Sequence, residues 1–573
     1  MDNTAIAEVF SQYADLLELT GANAFRIRAY RGAARRIKEM SEPLKAIEDD
    51  PDRKLIDLEG IGKDLAAKIV ELITTGRMSV LEEIQAEVPA ETLDLLKVPG
   101  LGPKKVAALR DELSIESLEQ LAAACRKGKV RELKGFGAKT EATILQGIDI
   151  AERVGDRMTR NRAEAHVDAI LAHMKSCKAI KRITPTGSFR RLQETVGDLD
   201  FLVEADPKKA DEVMDLLAEF PDCEDILLRG PTKMSIRLVR GPQVDLRVVP
   251  KKSYGAALQY FTGSKEHNIV VRRRAKDRGL RISEYGVFRD EEQIAGKTEA
   301  DVYATIDMPC FPPELREARR EFEWIESGTG LPELIELSDI RGDLHMHSTW
   351  TDGTVTIEEM ALAAKEIGRE YIAMTDHSQR VRMVGGLSED DLRRQWEEVD
   401  RINEKLDGIT ILKGIECDIL EKGGLDLSDD CLAEGDWIIA SVHFGQKQSR
   451  DEITKRVVDA LENPNVSAIG HPTGRLLSSR PAYDIDMGAV IETARKNGKC
   501  LELNASPDRL DLCDIHLAAA KEAGVPIVIS TDSHRPTSLE TMRYGIEQAR
   551  RAGLTKEDVI NTGPVEDILA LRG

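Results

Sequence analysis

Two aspartates in the segment Gly197-Asp198-Leu199-Asp200 are spaced for metal chemistry. Side chains alternate across a β-strand, so Asp198 and Asp200 share one face while Leu199 points into the core. A further aspartate, Asp245, interrupts the apolar run 244–249, where an uncoordinated charge is costly. Carboxylates in this arrangement hold Mg²⁺ or Mn²⁺ for phosphoryl transfer. The sequence therefore predicts a nucleotidyltransferase site with these three aspartates as catalytic metal ligands.

A second motif, Gly187-Ser188-Phe189-Arg190-Arg191, precedes the aspartates. Gly187 allows a close backbone approach, the Ser188 hydroxyl can bind a phosphate oxygen, and Arg191 can add a charge-assisted contact. The two motifs together predict nucleotide binding. They leave the acceptor open, because nucleotidyltransferases act on many substrates.

A larger set of potential metal ligands follows residue 340. It combines six of the chain's ten histidines with three carboxylates: His345, His347, Asp352, His377, Glu416, His443, His471, Asp532 and His534. The motifs follow short apolar runs, and in a barrel of strands and helices the strand ends meet at one mouth. We therefore expect one cluster. Imidazole with carboxylate suits zinc, manganese or iron, and such a cluster can hold about two or three ions that generate hydroxide and clamp a phosphate.

Basic residues near these motifs are candidates for binding the substrate phosphate. They are Lys413, Arg475 and Arg535. Arg475, in the segment His471-Pro472-Thr473-Gly474-Arg475, is the preferred one. Ordinary surface charge explains the same residues equally well.

Three segments near the N-terminus resemble one another, which indicates an internal repeat. Each has glycine, an apolar residue and glycine, followed shortly by a lysine and a helical pattern. The glycines permit a tight turn, and the helix N-terminus directs amides at an anion. The segments resemble helix-hairpin-helix units, which bind DNA phosphates without reading sequence; plain helical corners are the alternative. The predicted DNA-binding residues are Gly60, Gly62, Lys63, Gly100, Gly102, Lys104, Gly135, Gly137 and Lys139.

The segments between the motifs indicate the elements that position them. Apolar residues at helical spacing in 29–37 and 65–73 predict a helical N-terminal region. Short β-rich runs predict an α/β palm, with strands at 182–186, 199–203, 234–239 and 244–249. Alternating strands and helices then predict a parallel barrel, with strands at 371–374, 409–412, 437–442, 467–469, 500–503 and 526–529. The fold class is multidomain α/β.

The Gly187–Arg191 motif and the aspartate motif, taken together with the later segment Tyr260-Phe261-Thr262-Gly263-Ser264, resemble those of the family X DNA polymerases. The resemblance covers residues 1–310. The resemblance implies that the incoming deoxynucleoside triphosphate is bound by Gly187, Ser188, Arg191, Gly197, Tyr260, Phe261, Gly263 and Asn268. It also implies that Arg272 contacts the template strand. Val196 departs from the vertebrate members of the family, which have a serine near the phosphates.

The N-terminal helical region resembles the small lyase domain of the same family. Alignment through Leu58-Glu59-Gly60-Ile61-Gly62 places Lys68 on the lysine that forms a Schiff base with an abasic sugar. Tyr30 matches a supporting tyrosine, whereas Asp64 replaces another lysine of that pocket. Lys68 is therefore either a lyase nucleophile or a lysine that binds phosphate or faces solvent.

The cluster after residue 340 resembles the polymerase and histidinol phosphatase (PHP) family over residues 338–573. The resemblance implies a distorted (β/α)7 barrel that holds Zn²⁺ or Mn²⁺. A family X polymerase followed by a PHP domain resembles bacterial and archaeal enzymes. In these the PHP domain is associated with 3′-5′ exonuclease, 3′-phosphatase and apurinic-site endonuclease activity.

These resemblances divide the chain into six parts. They are a helical lyase-like domain at 1–90, helix-hairpin-helix fingers at 91–154, a nucleotidyltransferase palm at 155–245, a thumb-like nucleotide-selection subdomain at 246–315, a linker at 316–340 and a PHP domain at 341–573. The expected function is filling short gaps in base excision repair, with the PHP domain processing 3′ ends or abasic sites. The expected partners are gapped or nicked DNA and deoxynucleoside triphosphates.

The net charge of −21 at first argues against a nucleic-acid partner. Residues 101–200, however, carry 19 basic and 14 acidic side chains, so a basic surface can face a phosphate backbone. Eight scattered cysteines without a CxxC, no long apolar run and no signal-peptide pattern predict a cytoplasmic chain without a membrane span. We expect a monomer that associates with the nucleoid during repair.

Two other functions remain open on the sequence alone. In the first, the palm is an inactive DNA-binding scaffold and only the nuclease works. In the second, the PHP domain is a phosphatase for a small phosphorylated metabolite. The intact aspartates argue against the first, and the DNA-binding repeats argue against the second.

Overall fold

The computed structural model divides into two compact units, residues 1–157 and 158–573. It describes the chain except for residues 1–2, 21, 41–43, 51–52, 59, 89–91, 93–94, 96–97, 99–100, 134, 138–139, 142–143, 146–156, 240 and 572–573. Among the described helices, none combines the length and the apolar character that a membrane span requires.

The N-terminal unit is helical. Its helices are Asn3–Leu19, Ala24–Glu39, Leu44–Asp49, Lys63–Thr75, Ser79–Glu87, Pro103–Leu113 and Leu118–Arg126. The helical patterns predicted at 29–37 and 65–73 lie inside the second and fourth of these helices and are confirmed. Their apolar faces, with Tyr30, Ile37 and Ile69 fully buried, join one core.

The palm begins the second unit. Its strands are β1 (Met158–Thr159), β2 (Arg182–Pro185), β3 (Thr195–Val196), β4 (Asp198–Glu204), β5 (Cys223–Arg229), β6 (Lys233–Leu238) and β7 (Gln243–Val249), and its helices are Arg160–Met174, Gly187–Arg190 and Ala210–Ala218. Five strands form one sheet in the order β2-β4-β7-β6-β5. Strands β4 and β7 are parallel, with Asp200 opposite Asp245. This register brings the predicted aspartates to adjacent strands.

A thumb domain follows the palm. It contains the helices Tyr254–Thr262, Lys265–Asp277, Glu299–Ala304 and Glu321–Glu326 and the antiparallel strands β8 (Arg281–Ser283), β9 (Gly286–Arg289) and β10 (Glu292–Ala295). Its core packs His267 against Phe311 and Phe322, and the imidazole bonds Glu321 and Tyr303 at 2.8 Å each. Because Phe322 and Glu321 belong to this core, the thumb extends beyond residue 315.

The C-terminal domain is a nearly closed barrel of seven parallel strands in chain order. The strands are β11 (Gly342–Asp343), β12 (Tyr371–Met374), β13 (Thr410–Asp418), β14 (Trp437–Ser441), β15 (Ala468–Ile469), β16 (Cys500–Asn504) and β17 (Ile527–Ser530). The helices are Ile357–Glu366, Glu389–Asn403, Asp429–Leu432, Arg450–Glu462, Met487–Asn497, Asp514–Ala523, Met542–Arg551 and Val565–Ala570. A parallel bridge between Met346 and Ser533 joins the ends of the first and last strands. The predicted fold class is confirmed.

The structure differs from the sequence-based expectations at several boundaries. Strand β7 continues to Val249, so the palm ends after this strand and not at residue 245. The predicted linker at 316–340 is packed: Arg316 is 1% exposed and bonds Glu299, and Ile335 lies in the barrel core. Strand β5 was not predicted because it lies at the edge of the sheet, where its mostly exposed residues lack an apolar alternation.

Candidate metal centres

The three aspartates of the palm meet at one point. One carboxylate oxygen from each of Asp198, Asp200 and Asp245 lies within 4.8 Å of the others. Gly187, at the start of the predicted phosphate-binding turn, lies against Asp200. A Cβ on Gly187 would stand 2.4 Å from Asp200 Oδ2, and its φ is +60°. Only glycine fits this position, so the turn and the carboxylates form one site.

The charges of this site are arranged for a cation. Burial, with the neighbouring charges of Asp198 and Asp245, raises the pKa of Asp200 to about 7. Asp245 accepts hydrogen bonds from the Ser235 hydroxyl and from Gln243 Nε2, the latter at 2.7 Å. The residues fit a divalent metal, because a cation relieves the repulsion that the three carboxylates otherwise exert on one another.

The predicted nucleotide-selecting residues lie on two consecutive thumb helices. Tyr260 and Phe261 form an edge-to-face pair with centroids 5.1 Å apart, and both are half-buried. Asn268 is buried and donates from Nδ2 to the Tyr260 carbonyl at 2.7 Å. Arg272 is exposed one turn further along the helix. Their contacts with nucleotide and template stay predictions, as do those of Ser188, Gly197 and Gly263.

Arg191 lies at the junction of palm and thumb. Its Nη1 donates to the Thr262 carbonyl at 2.6 Å, and its Nε donates to Glu317 Oε1 at 3.1 Å. The side chain is 14% exposed. A triphosphate would therefore compete with Glu317 for this guanidinium. Arg191 thus ties the end of the Gly187–Arg191 turn to the thumb, and its contact with a triphosphate stays a prediction.

The predicted cluster of the barrel is also assembled. Three groups of ligand atoms, each within 4.8 Å, are His347, Asp352, His377 and His534; His345, His347 and Asp532; and His377, Glu416 and His443. The ninth predicted residue, His471, bonds Glu416 Oε1 from Nε2 at 2.9 Å. His347 and His377 each belong to two groups. The strand ends therefore bring all nine predicted side chains together, in an arrangement that fits up to three ions that share ligands.

Supporting groups orient several of these histidines. The Nδ1 atom of His345 bonds Glu502 Oε1 at 2.6 Å, and that of His443 bonds Asp418 Oδ1 at 3.1 Å. Each of these contacts leaves Nε2 directed at the cluster. His345 Nε2 and His347 Nδ1 are both buried, and neither atom makes a hydrogen bond. Buried ring nitrogens of this kind, held from behind by carboxylates, fit metal ligation by neutral imidazole.

The electrostatics of the cluster point the same way. Burial alone would raise the pKa of Glu416, yet His443 and His377 hold it well below its usual range. Burial alone would lower the pKa of His377, yet Glu416 and Asp352 raise it to about 10. The residues thus gather both signs of charge in a buried volume. A metal that binds here displaces protons from the imidazoles.

Some residues of this site were missed by the sequence reasoning. Glu502 and Asp418 sit inside apolar strands, the same signal that identified Asp245. Arg509 was also missed: its Nε lies 3.8 Å from Asp532 Oδ2, and its side chain is 21% exposed. It lies in the loop after β16. No pattern in the sequence distinguishes it from other arginines, because only the fold brings it to the cluster.

Arg475 is not available in the way the sequence suggested. Its Nη1 and Nη2 both donate to Glu194 of the palm, at 3.2 and 2.7 Å, and Nη2 also donates to the Leu510 carbonyl. A phosphate would have to displace Glu194. In this structure the Arg475 guanidinium is therefore engaged in an ion pair between the two domains. Of the other basic candidates, Lys413 pairs with Asp400 at 2.9 Å.

The three repeats of the N-terminal unit share one turn. In each repeat the backbone amide of the apolar residue between the two glycines donates to the carbonyl three residues earlier. The pairs are Ile61 to Leu58, Leu101 to Val98 and Phe136 to Leu133. Gly60 and Gly135 have positive φ values of 82° and 89°. A Cβ on Gly62, Gly102 or Gly137 would meet nothing within 4 Å. These glycines therefore leave open space before a helix. Gly100, Lys139 and the side chain of Lys104 lie outside the described residues.

Lys68 lies on the helix Lys63–Thr75, one turn after Asp64, whereas Lys63 is exposed at its start. Its Nζ pairs with Glu71 Oε2 at 3.0 Å, and its side chain is 19% exposed. The buried Tyr30 donates to Asp64 Oδ2 at 3.1 Å. The predicted lysine and tyrosine therefore flank Asp64.

Family models match four parts of the chain. The matches are a helix-hairpin-helix domain at 1–78, a SAM-like helix-hairpin-helix tandem at 92–149, a DNA polymerase beta thumb at 257–317 and a PHP domain at 343–506. They follow the order predicted from the motifs.

The chain is similar to curated proteins of two kinds. It is 41% identical to the DNA polymerase/3′-5′ exonuclease PolX of Bacillus subtilis (strain 168), over 100% of this chain and 99% of that protein. It is 31% identical to a probable phosphatase of Thermoanaerobacter sp. (strain X514), over 40% of this chain and 93% of that protein. With both sets of candidate metal ligands assembled and a relative matched along its whole length, the chain belongs to the family X DNA polymerases that carry a C-terminal PHP domain.

Proposed function

We propose that this protein is a DNA polymerase that fills short gaps during base excision repair and processes 3′ ends with its PHP domain. The proposal is supported by two separate groups of side chains on one chain, each of which could hold metal ions. Asp198, Asp200 and Asp245 would hold two divalent metals, which we propose are Mg²⁺ or Mn²⁺. One would activate the primer 3′-hydroxyl, and the other would hold the triphosphate of a deoxynucleotide and the leaving pyrophosphate. Tyr260 and Phe261 would line the sugar pocket, Asn268 would bond the base edge and Arg272 the template strand.

For the PHP domain we propose 3′-5′ exonuclease activity, with 3′-phosphatase and apurinic-site endonuclease activity as related reactions. Zn²⁺ or Mn²⁺ would supply a hydroxide nucleophile and neutralise the phosphate. The protein's own contribution is to orient the imidazoles of His345 and His443 through Glu502 and Asp418 and to bury five of the nine candidate ligands. Burial excludes bulk water and strengthens every charge interaction at the phosphate.

The turns of the N-terminal unit support DNA as the substrate. Gly62 and Gly102 cap helices from backbone conformations that need no glycine and, with Gly137, face open space, so their lack of a side chain serves no packing role among the described residues. A phosphate backbone can approach such a turn closely. We propose that these units deliver gapped or nicked DNA to the enzyme, which acts as a monomer in the cytoplasm at the nucleoid.

We expect Arg509 to bind the substrate phosphate at the PHP centre. Replacing Arg509 with methionine keeps the aliphatic stem and removes the charge beside Asp532. The loss of a charge-assisted hydrogen bond is expected to raise, about tenfold, the KM for a DNA oligonucleotide that is hydrolysed from its 3′ end. Steady-state hydrolysis kinetics measure it. The matched control is Arg495→Met, an exposed arginine of the same domain that pairs with Glu492. Equal kinetics for R509M and wild type would contradict the role.

A lyase activity in the N-terminal unit is a second candidate function, supported by Lys68, Tyr30 and Asp64 lying together. Borohydride is expected to trap the wild-type protein on DNA with a 5′-deoxyribose phosphate. Lys68→Ala is expected to reduce the trapped fraction to background, because a lysine amine forms the Schiff base. Lys45→Ala, on the helix Leu44–Asp49, is the control, because Lys45 is an exposed lysine that pairs with Asp49 and is not among the predicted DNA-binding residues. Trapping of K68A at the wild-type level would assign the reaction to another lysine.

A direct comparison of substrates separates the proposal from its rivals. The protein is incubated with manganese and with a gapped duplex, a 3′-phosphorylated primer or histidinol phosphate. Nucleotide incorporation and release of phosphate from DNA support the proposal. Hydrolysis of histidinol phosphate with no action on DNA would favour a metabolite phosphatase, and trimming without incorporation would favour a nuclease on an inactive scaffold.

A further inference from the structure

Ion pairs hold the polymerase core, residues 158–326, against the PHP domain, residues 342–573. The pairs are Arg160–Glu547, Arg543–Glu164, Arg475–Glu194, Arg551–Glu317, Arg550–Glu314, Arg319–Asp514 and Arg320–Glu522. Most of the PHP side chains belong to the helix Met542–Arg551. The Arg475–Glu194 pair is different, because Arg475 comes from the loop that carries a predicted metal ligand.

The Arg475–Glu194 contact is bidentate and shielded from solvent. The two Arg475–Glu194 nitrogen–oxygen distances are 3.2 and 2.7 Å, and the side chains are 14% and 26% exposed. Gln548 Nε2, from the PHP domain, donates to the same Glu194 carboxylate at 3.1 Å. Paired hydrogen bonds of this geometry fix orientation as well as distance. Removing one partner leaves a poorly solvated charge.

Each partner is four residues from a metal ligand of its own domain. Arg475 follows His471, and Glu194 precedes Asp198. The PHP loop between His471 and Arg475 is restrained by hydrogen bonds. The Thr473 amide donates to Asp511 at 3.0 Å, and the Thr473 hydroxyl donates to the same carboxylate at 2.8 Å. Gly474 has a φ of +61°, and a Cβ there would stand 2.3 Å from Tyr483. A displacement of Arg475 is therefore passed to the His471 segment.

The palm side is similarly restrained. The Gln193 amide donates to the Ser188 carbonyl at 3.1 Å, and the Arg160 amide donates to the Glu194 carbonyl at 3.1 Å. Strand β3 then leads from Glu194 directly to the aspartates. Glu194 thus stands between the predicted phosphate-binding turn at Ser188 and the ligand Asp198. Its position sets the path of the backbone between these two parts of the polymerase site.

We propose that the Arg475–Glu194 pair is a positioning contact that couples the two active sites. The proposal rests on the proposed function and adds that a residue of the hydrolase domain tunes nucleotide insertion, and that a palm residue tunes hydrolysis. Contiguous packed segments with hydrogen bonds at every step carry such coupling. Neither residue touches the reacting atoms, so the effect acts through Ser188 and Asp198 on one side and His471 on the other.

The test is a double-mutant cycle with Arg475→Ala, Glu194→Ala and the double variant, followed through both reactions. Each single variant is expected to raise the KM for the deoxynucleotide and to lower kcat/KM for 3′ hydrolysis, both about tenfold. The double variant is expected to be no worse than either single one. Arg475→Lys keeps the positive charge but cannot form the bidentate contact, and it is expected to recover part of both activities. A smaller folded fraction would instead lower kcat and leave KM unchanged.

Arg543→Ala is the matched control, because Arg543 joins the same two domains through Glu164 at 2.6 and 2.7 Å on the exposed side. It is expected to leave both reactions unchanged. Additive effects of the two alanine substitutions, unaltered nucleotide KM in R475A, or equal losses in R543A would each overturn the coupling. If the alanine variants unfold, Glu194→Gln keeps the shape and carries the same comparison. If the wild-type protein lacks one of the two activities, that result contradicts both the proposed function and the coupling.

Discussion

Replacing Asp198 and Asp200 together with alanine is expected to lower deoxynucleotide incorporation by at least about 1,000-fold, or about 4 kcal/mol of transition-state free energy. Two of the three carboxylates that would hold the metal are lost, and Asp245 alone cannot position a cation between primer and triphosphate. Rapid-quench incorporation on a gapped duplex measures the loss. Hydrolysis of the 3′ end is expected to continue at the wild-type rate, because its ligands belong to the barrel.

The stability of this variant distinguishes a lost ligand from a damaged fold. Asp200 is a carboxylate that burial and its two neighbours destabilise in the charged form. Its removal is expected to raise the midpoint temperature of thermal unfolding (Tm) of the metal-free protein. Active-site residues that are required for activity often lower the stability of the fold in this way. Asp225→Ala, on the exposed edge strand β5 of the same palm, is the matched control and should incorporate normally. Normal incorporation by the double variant would remove the aspartates from the catalytic site.

Replacing His345 and His347 together with alanine is expected to lower 3′ hydrolysis by at least about 1,000-fold. His347 contributes to two of the three ligand groups, so its loss disturbs more than one ion position. The purified variant is expected to contain fewer bound metal ions per chain, measured by elemental analysis. Incorporation of deoxynucleotides should match the wild type.

His516→Asn provides the matched control for the histidine variant. Seven histidines follow residue 340, and His516 is the one that is not part of the predicted cluster. Full hydrolysis and full metal content are expected for it. A histidine double variant that retains hydrolysis would contradict the assignment. One that also loses incorporation would show that the cluster supports the fold of the palm as well as the reaction.

Much of the site was predictable because its signals are local. Asp198 and Asp200 alternate along one strand, and the barrel ligands follow apolar runs whose ends converge in a parallel barrel. The barrel strands predicted from these runs lie within a residue or two of the observed ones for most of the barrel, although β13 extends to Asp418. Strands buried on both faces, such as β12, are continuous apolar runs and are easily recognised.

The residues that were not predictable depend on distant partners. Arg475 and Glu194 are 281 positions apart, so no local pattern links them. Arg191 is predicted to bind phosphate because arginine suits phosphate, but the sequence does not reveal that Glu317, 126 positions later, bonds its guanidinium. The packing of 316–340 depends on the thumb core and the barrel, which the sequence of that segment does not reveal. Charge alone indicates that a partner exists and leaves its identity to the fold.

We infer that two metal centres with separate ligands act on one DNA end. The first measurement uses a duplex with a single-nucleotide gap and a labelled primer, with manganese, with and without deoxynucleotides, for wild type and the two double variants. We expect primer extension to disappear only in the aspartate variant and primer shortening to disappear only in the histidine variant. A wild-type protein that neither extends nor shortens the primer, or one variant that loses both reactions, would contradict this assignment.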